Sequence, residues 1–131
     1  MSFLAVALGG ALGALLRWAL GEAVPDGSGF PWTTFAINVS GSALLALLPA
    51  TSMVRRRPAL ALGLGPGLLG GYTTLSAYAE QTRTLLDGGH ALTAAAYVVG
   101  TLAACLGAVA LASRLYPPSA GEEFAVEGGD E

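Results

Sequence analysis

Four apolar runs, each long enough to cross a bilayer and joined by turns of a few residues, constrain this chain more than any other feature. A hydrocarbon core about 30 Å thick is spanned by roughly 20 residues of helix. The runs extend approximately over 3–20, 30–53, 58–86 and 91–115. Lipid offers no water to free amides, so each run must be helical. The connecting sequences, EAVPDGSGFP, RRRP and DGGH, are rich in turn residues and short, which makes consecutive helices antiparallel neighbours. The first run has no basic residues ahead of it, is long, and is interrupted by glycine and arginine. It reads as a retained helix rather than a cleaved signal. The expected architecture is an all-α membrane protein of four transmembrane helices in a single domain over 1–116. After Tyr116-Pro117-Pro118 the chain turns acidic and Gly-rich, and 117–131 is expected to be a disordered tail.

Composition excludes several function classes. Only 11% of the 131 residues are charged, there is no lysine, and Arg17, Arg55, Arg56, Arg57, Arg83 and Arg114 form no stripe that could track a phosphate backbone. Nucleic acid is therefore not an expected partner. Cys105 is the one cysteine, so no internal disulfide can form, and His90 is a lone loop histidine without companions for a metal. No nucleophile–base pair is evident, and no glycine run ends in the lysine of a phosphate loop. An enzyme is not expected.

Polar residues within the runs carry the functional information, because each must be satisfied inside protein or water. Gly9, Gly13 and Arg17 recur at four-residue spacing, a small-residue packing face that ends in a charge. Arg17 is either a structural, interface-seeking side chain or a holder of an anion near a pore mouth. Thr34, Asn38 and Ser42 form a second such stripe. The Asn38 amide can replace part of an anion's water shell or make an interhelical hydrogen bond, and the sequence leaves both open. Thr93, Tyr97, Thr101 and Cys105 repeat the device in the last run, where Tyr97 could also be an aromatic at the bilayer interface. The third run, with GLGPGLLGGYTTLSAY inside about 29 residues, is longer than one crossing needs. Its glycines, Pro66 and Thr73–Thr74 predict a break at mid-membrane, where freed carbonyls could hold a cation. A kinked, glycine-packed helix is the alternative.

Three segments carry a resemblance. Gly67-Leu68-Leu69-Gly70-Gly71-Tyr72-Thr73-Thr74-Leu75-Ser76-Ala77-Tyr78 resembles the G-x-x-G-G-x-T-T-F-S-T-F signature of the Fluc (CrcB) fluoride channels. Gly9-Gly10-Ala11-Leu12-Gly13-Ala14-Leu15-Leu16-Arg17-Trp18 is similar to that family's GGxxGAxxRY. Thr34 through Ser42 is similar to its T-x-x-x-N-x-x-G-S.

The resemblance implies a fluoride-selective channel that exports cytoplasmic fluoride passively, multi-pass in a bacterial-type inner membrane and surrounded by lipid. It implies an antiparallel, inverted dimer with itself or a homologous subunit, two fluoride pores, and a structural Na+ at the dimer centre on backbone carbonyls, here Gly70 and Thr73. The fluoride pathway carries over to Asn38 with Thr34 and Ser42, to Thr74 and Ser76, to the ring positions Leu75 and Tyr78, and to Tyr97 and Thr101. Ring edges and neutral donors can replace water around a small anion without trapping it. The chain departs from the pattern where leucine and tyrosine stand for two phenylalanines. The family's acid is also displaced, with Glu80 beside Gln81 and no role assigned to it.

Arg55, Arg56, Arg57 and Arg114 fall on one side by helix count, against Arg17 and Arg83 near the other, which favours one orientation with both termini cytoplasmic. With Leu75, that bias predicts one half of a heterodimeric channel. A non-conducting structural or regulatory subunit is the alternative reading. A small multidrug antiporter is a remote one, lacking a carboxylate between Met1 and Gly21.

Overall fold

The computed structural model describes residues 2–115, so the tail expected over 117–131 lies outside the described residues. All regular structure among them is helical. Helix α1 (Ser2–Ala23) is followed by α2 (Trp32–Leu47), a 3-10 turn over Leu48–Ala50 and the short α3 (Ser52–Arg55). The third run is a string of pieces: α4 (Pro58–Leu62), a π-helical stretch over Gly63–Leu69, α5 (Gly70–Tyr72) and α6 (Leu75–Asp87). Helix α7 (Ala91–Ser113) completes the described chain. Three helical spans, Ser2–Ala23, Trp32–Ala50 and Ala91–Ser113, are long and apolar enough to cross a membrane.

The irregularity of the third run has local causes. Pro66 lies inside the helical path without an amide to donate, and its ring crowds the preceding turn. A wider π turn accommodates it. The helix then stops at Thr73 (φ −73°, ψ 159°) and Thr74 (φ −147°, ψ 122°), both extended, before α6 begins.

Helix α1 packs on the π stretch and α5, and the contact is backbone to backbone. A Cβ built on Gly9 would overlap the Gly63 carbonyl, and one on Gly13 would overlap the carbonyl of Leu68. From the other side, a Cβ on Gly71 would overlap the Gly10 carbonyl. Lipid competes for apolar side chains, so helices in a bilayer associate through such close van der Waals approaches. Arg17, one turn beyond Gly13, donates from Nε to the Gly71 carbonyl at 3.2 Å and closes the same seam.

On the other side of the molecule α2 packs along α7. Tyr97 is completely buried there, edge-on to Phe30 with centroids 5.3 Å apart and tilted against Tyr78 at 5.0 Å. Outward faces are apolar: Phe3 is 92% exposed and Leu92 85%, a surface suited to lipid and not to water.

The seam makes a sharp contrast testable. Gly13→Ala, which must push back a carbonyl, is expected to cost about 1–3 kcal/mol or abolish the folded species. Gly21→Ala, with no atom within 4 Å, is expected to be neutral or stabilising by up to about 1 kcal/mol. Thermal-stability measurements by size-exclusion chromatography in detergent distinguish them, and equal behaviour of the two variants would contradict the packing described.

Candidate functional site

The break in the third run is held from α2. Asn38, almost fully buried, donates from Nδ2 to the Thr74 carbonyl at 3.1 Å and accepts the Thr74 amide on Oδ1 at 2.8 Å. One side-chain amide thus substitutes for both halves of a backbone pairing. The Thr74 hydroxyl in turn caps α6, accepting the Ala77 amide at 3.1 Å.

These bonds change what the neighbouring carbonyls can do. In a continuous helix the Thr74 amide would bond the Gly70 carbonyl and the Ala77 amide would bond that of Thr73. Both amides are directed elsewhere, and no donor among the described residues replaces them. The Gly71 carbonyl is taken by Arg17. The carbonyls of Gly70, Tyr72 and Thr73 are left without a donor among the described residues, and these uncharged, hard oxygens are a set whose chemistry fits an alkali cation such as Na+.

A groove of about 460 Å³ opens beside the break and brings most of the expected site residues together. Asn38, Ser42, Thr74, Leu75, Tyr78 and Thr101 line it, as do Gly70 and Thr73. Leu75 is 79% exposed, an apolar side chain standing in the opening. The Thr101 hydroxyl is buried and without a hydrogen-bond partner among the described residues. An unpaired buried hydroxyl costs about 1–3 kcal/mol, which a passing anion could offset by accepting its proton. Other groups are committed. Tyr78 donates its hydroxyl to the Val98 carbonyl at 3.0 Å, and the Thr73 hydroxyl donates to the Leu69 carbonyl at 2.9 Å. Ser76 Oγ lies 3.2 Å from Thr74 Oγ1. Asn38 keeps one N–H beyond its clamp on Thr74.

Thr34 and Tyr97 belong to a second network. The Tyr97 hydroxyl donates to Gln81 Oε1 at 2.8 Å. Gln81 Nε2 donates to Thr34 Oγ1 at 2.9 Å and to Asp26 Oδ2 at 3.0 Å. Asp26 also accepts the Thr34 hydroxyl at 2.8 Å and the amides of Thr33 and Thr34 at 2.7 and 3.1 Å. The Tyr97 ring is fully buried within the chain rather than on its outer face. Arg17 is not among the residues lining the groove and bonds the Gly71 carbonyl on the α1 seam. Glu80 pairs with Arg83 on the exposed face of α6, a surface contact of little energetic weight.

Asp26 and Gln81 escaped the sequence reading. Their signals are indirect: Pro31 occupies the N-cap of α2 and offers no side-chain acceptor, so the first amides of α2 need one from elsewhere. Gln81 lies three residues beyond Tyr78, on the same face of α6.

Comparison with known proteins decides the family. The family described as CrcB-like protein, Camphor Resistance (CrcB), matches residues 4–113. The chain belongs to the CrcB family. Among similar CrcB-family relatives, one of Rhodococcus jostii named "Fluoride-specific ion channel FluC 2" is 44% identical over 115 residues, covering 88% of this chain and 98% of its own length. A protein of the same name from Nocardia farcinica is 44% identical over 112 residues, 82% of this chain and 79% of the relative. One of Thermus thermophilus named "Fluoride-specific ion channel FluC" is 45% identical over 103 residues, 76% and 82% of the two chains. The CrcB match runs from α1 to the end of α7 and so contains both networks.

Asp26 gives this site a pH signature. Partial burial pushes its carboxyl up, but hydrogen bonds from Thr33, Thr34 and Gln81 outweigh it and hold it below the ordinary value of 3.8. A carboxyl depressed on folding contributes stability that is whole above its unfolded value and is lost as pH falls through the folded one. Acidification below 3.8 is therefore expected to loosen the start of α2, and Asp26→Asn should lose less stability over that interval than the wild type. Thermal unfolding at pH 7 and at about pH 3 checks this, and equal acid sensitivity would count against it.

Proposed function

We propose that this protein is a subunit of a fluoride-selective channel that lets cytoplasmic fluoride leave a bacterial cell passively. The observation that carries this is the family: relatives named fluoride-specific ion channels align over most of the chain at about 45% identity. The protein is a multi-pass plasma-membrane protein, not an enzyme, and fluoride is its cargo.

The finer reading adds the third run as a fourth crossing, broken at Thr73–Thr74. Its supports are the length of 58–87 and the glycine seam that fixes it to α1. The groove open along α6 and the exposure of Leu75 support a second subunit packed against this face in inverted orientation. The diverted amides of Thr74 and Ala77 support a Na+ held by the Gly70 and Thr73 carbonyls at the centre of that dimer. When bound, that ion would tie two break segments together electrostatically. Fluoride would pass Asn38, Ser42, Thr74 and Ser76, the side chains of Leu75 and Tyr78, and Thr101, with Thr34 and Tyr97 further along.

Neutral donors suit this task. They replace part of the water shell of a strongly hydrated anion without binding it too tightly to leave. Hydrogen fluoride crosses membranes as the neutral acid and dissociates inside, so a selective pore needs no energy source.

Leu75 and the arginine bias favour a partner that is a homologous subunit rather than a second copy. Leu75 offers no ring edge to an anion and is also the observation behind a second reading, a non-conducting structural or regulatory subunit.

Fluoride efflux from liposomes, read by an ion-selective electrode with chloride as control, tests the proposal. Selective efflux with a co-encoded homologue is expected, and Leu75→Phe should increase it severalfold, about the worth of one aromatic contact. Absence of efflux, alone and with the partner, would reject the channel in favour of a non-conducting subunit.

A further inference from the structure

The donors of the second network all point one way. Ionised Asp26 accepts hydrogen bonds and donates none. It therefore draws the Thr34 hydroxyl proton to itself and requires that Gln81 face it with the amide nitrogen. With Nε2 committed, Gln81 presents Oε1 to Tyr97, and the Tyr97 hydroxyl gives up its one proton there. Three side chains are oriented by a carboxylate that touches only two of them. The charged side chains of α6, Glu80, Arg83 and Asp87, bond one another and leave Asp26 as the charge in this network.

The consequence falls on α7. Thr101 and Tyr97 are one turn apart, and the Thr101 hydroxyl is unpartnered beside the groove, a donor free to meet an anion. Tyr97, the next polar atom along the helix, offers only oxygen lone pairs, because its proton is held by Gln81. An anion moving from Thr101 toward α2's N-terminus thus leaves a donor and meets an acceptor. The two α2 amides and the Thr34 hydroxyl, which could receive it, are already occupied by the carboxylate.

We infer that Asp26 is a positioning residue that sets the direction of the hydrogen bonds through Gln81 to Tyr97 and so limits the rate at which fluoride passes this end of the pathway. The inference rests on the reading of the chain as a fluoride channel subunit. Asparagine at this position keeps Oδ1 for the Thr33 amide, which still anchors the helix start, while Nδ2 replaces the oxygen that accepted the Thr34 amide and Gln81 and donates to Gln81 Oε1. Gln81 then turns its own amide toward Tyr97, and the tyrosine proton is released toward the path.

The test is a cycle of Asp26→Asn and Tyr97→Phe in the conducting dimer, with fluoride efflux as the readout and folding checked by chromatography. Asp26→Asn is expected to raise efflux about three- to tenfold, the net worth of one ordinary hydrogen bond. In the Tyr97→Phe background it should change nothing. An intact Asp26→Asn protein without a rise, or a rise that persists without the Tyr97 hydroxyl, overturns the inference. The Raman difference between each protein and its Tyr97→Phe partner isolates this ring and reports whether its hydroxyl donates or accepts. Asp26→Asn is expected to move it from donor toward acceptor, and an unchanged signal overturns the assignment. Failure of the wild type to pass fluoride with any partner would reject the channel reading instead, while the Raman comparison still decides the role of Asp26.

Discussion

Everything distinctive about this molecule depends on two hydrogen bonds between one buried amide and one peptide unit. Asn38 holds the carbonyl and the N–H of Thr74 together, and in doing so it keeps the third run from closing into a helix. An open backbone inside a bilayer is tolerable only where its polar groups find partners in protein or water. The clamp supplies those partners for Thr74, the Thr74 hydroxyl supplies one for Ala77, and Arg17 supplies one for Gly71. The carbonyls of Gly70 and Thr73 are among those left without a donor among the described residues, and an ion could use them.

The glycine seam serves the same end by different means. Backbone contact between α1 and the π stretch fixes the segment before the break, while α2 and α7 carry the segment after it through Asn38 and the aromatic cluster around Tyr97. The two segments meet at Thr73–Thr74. The groove beside them is lined with neutral groups, and the nearest fixed charge of the second network, Asp26, stands at the start of α2 and not in the groove. A small hydrated anion is served by many weak donors better than by one strong charge that would retain it.

Much of this was legible in the sequence, because lipid leaves few ways to place a polar residue. Thr34, Asn38 and Ser42 at helical spacing had to face protein or water, and the glycines around Pro66 could not sustain a regular helix. The partners were not legible. Periodicity assigns a residue to a face but does not say what crosses to meet it, so Asn38 could be read as pathway or structure, and its two bonds to a peptide 36 positions away were not foreseeable. The Asp26–Gln81 contact joins residues 55 apart, from a turn and from a face of α6 that reads as ordinary amphipathic helix. Tyr97 near the start of its run kept an interfacial alternative for the same reason: position along a helix is visible in sequence, whereas burial against a neighbour is not.

The clamp on Thr74 and the cation proposed for the carbonyls it frees stand or fall together, and the sodium dependence of thermal stability tests both most directly. Wild-type protein and Asn38→Leu would be unfolded in detergent in sodium and in a bulky organic cation of equal ionic strength. Sodium should raise the Tm of the wild type and leave that of Asn38→Leu unchanged. An equal rise in both, or none in the wild type, would contradict the link between the Asn38 clamp and an ion site at the break.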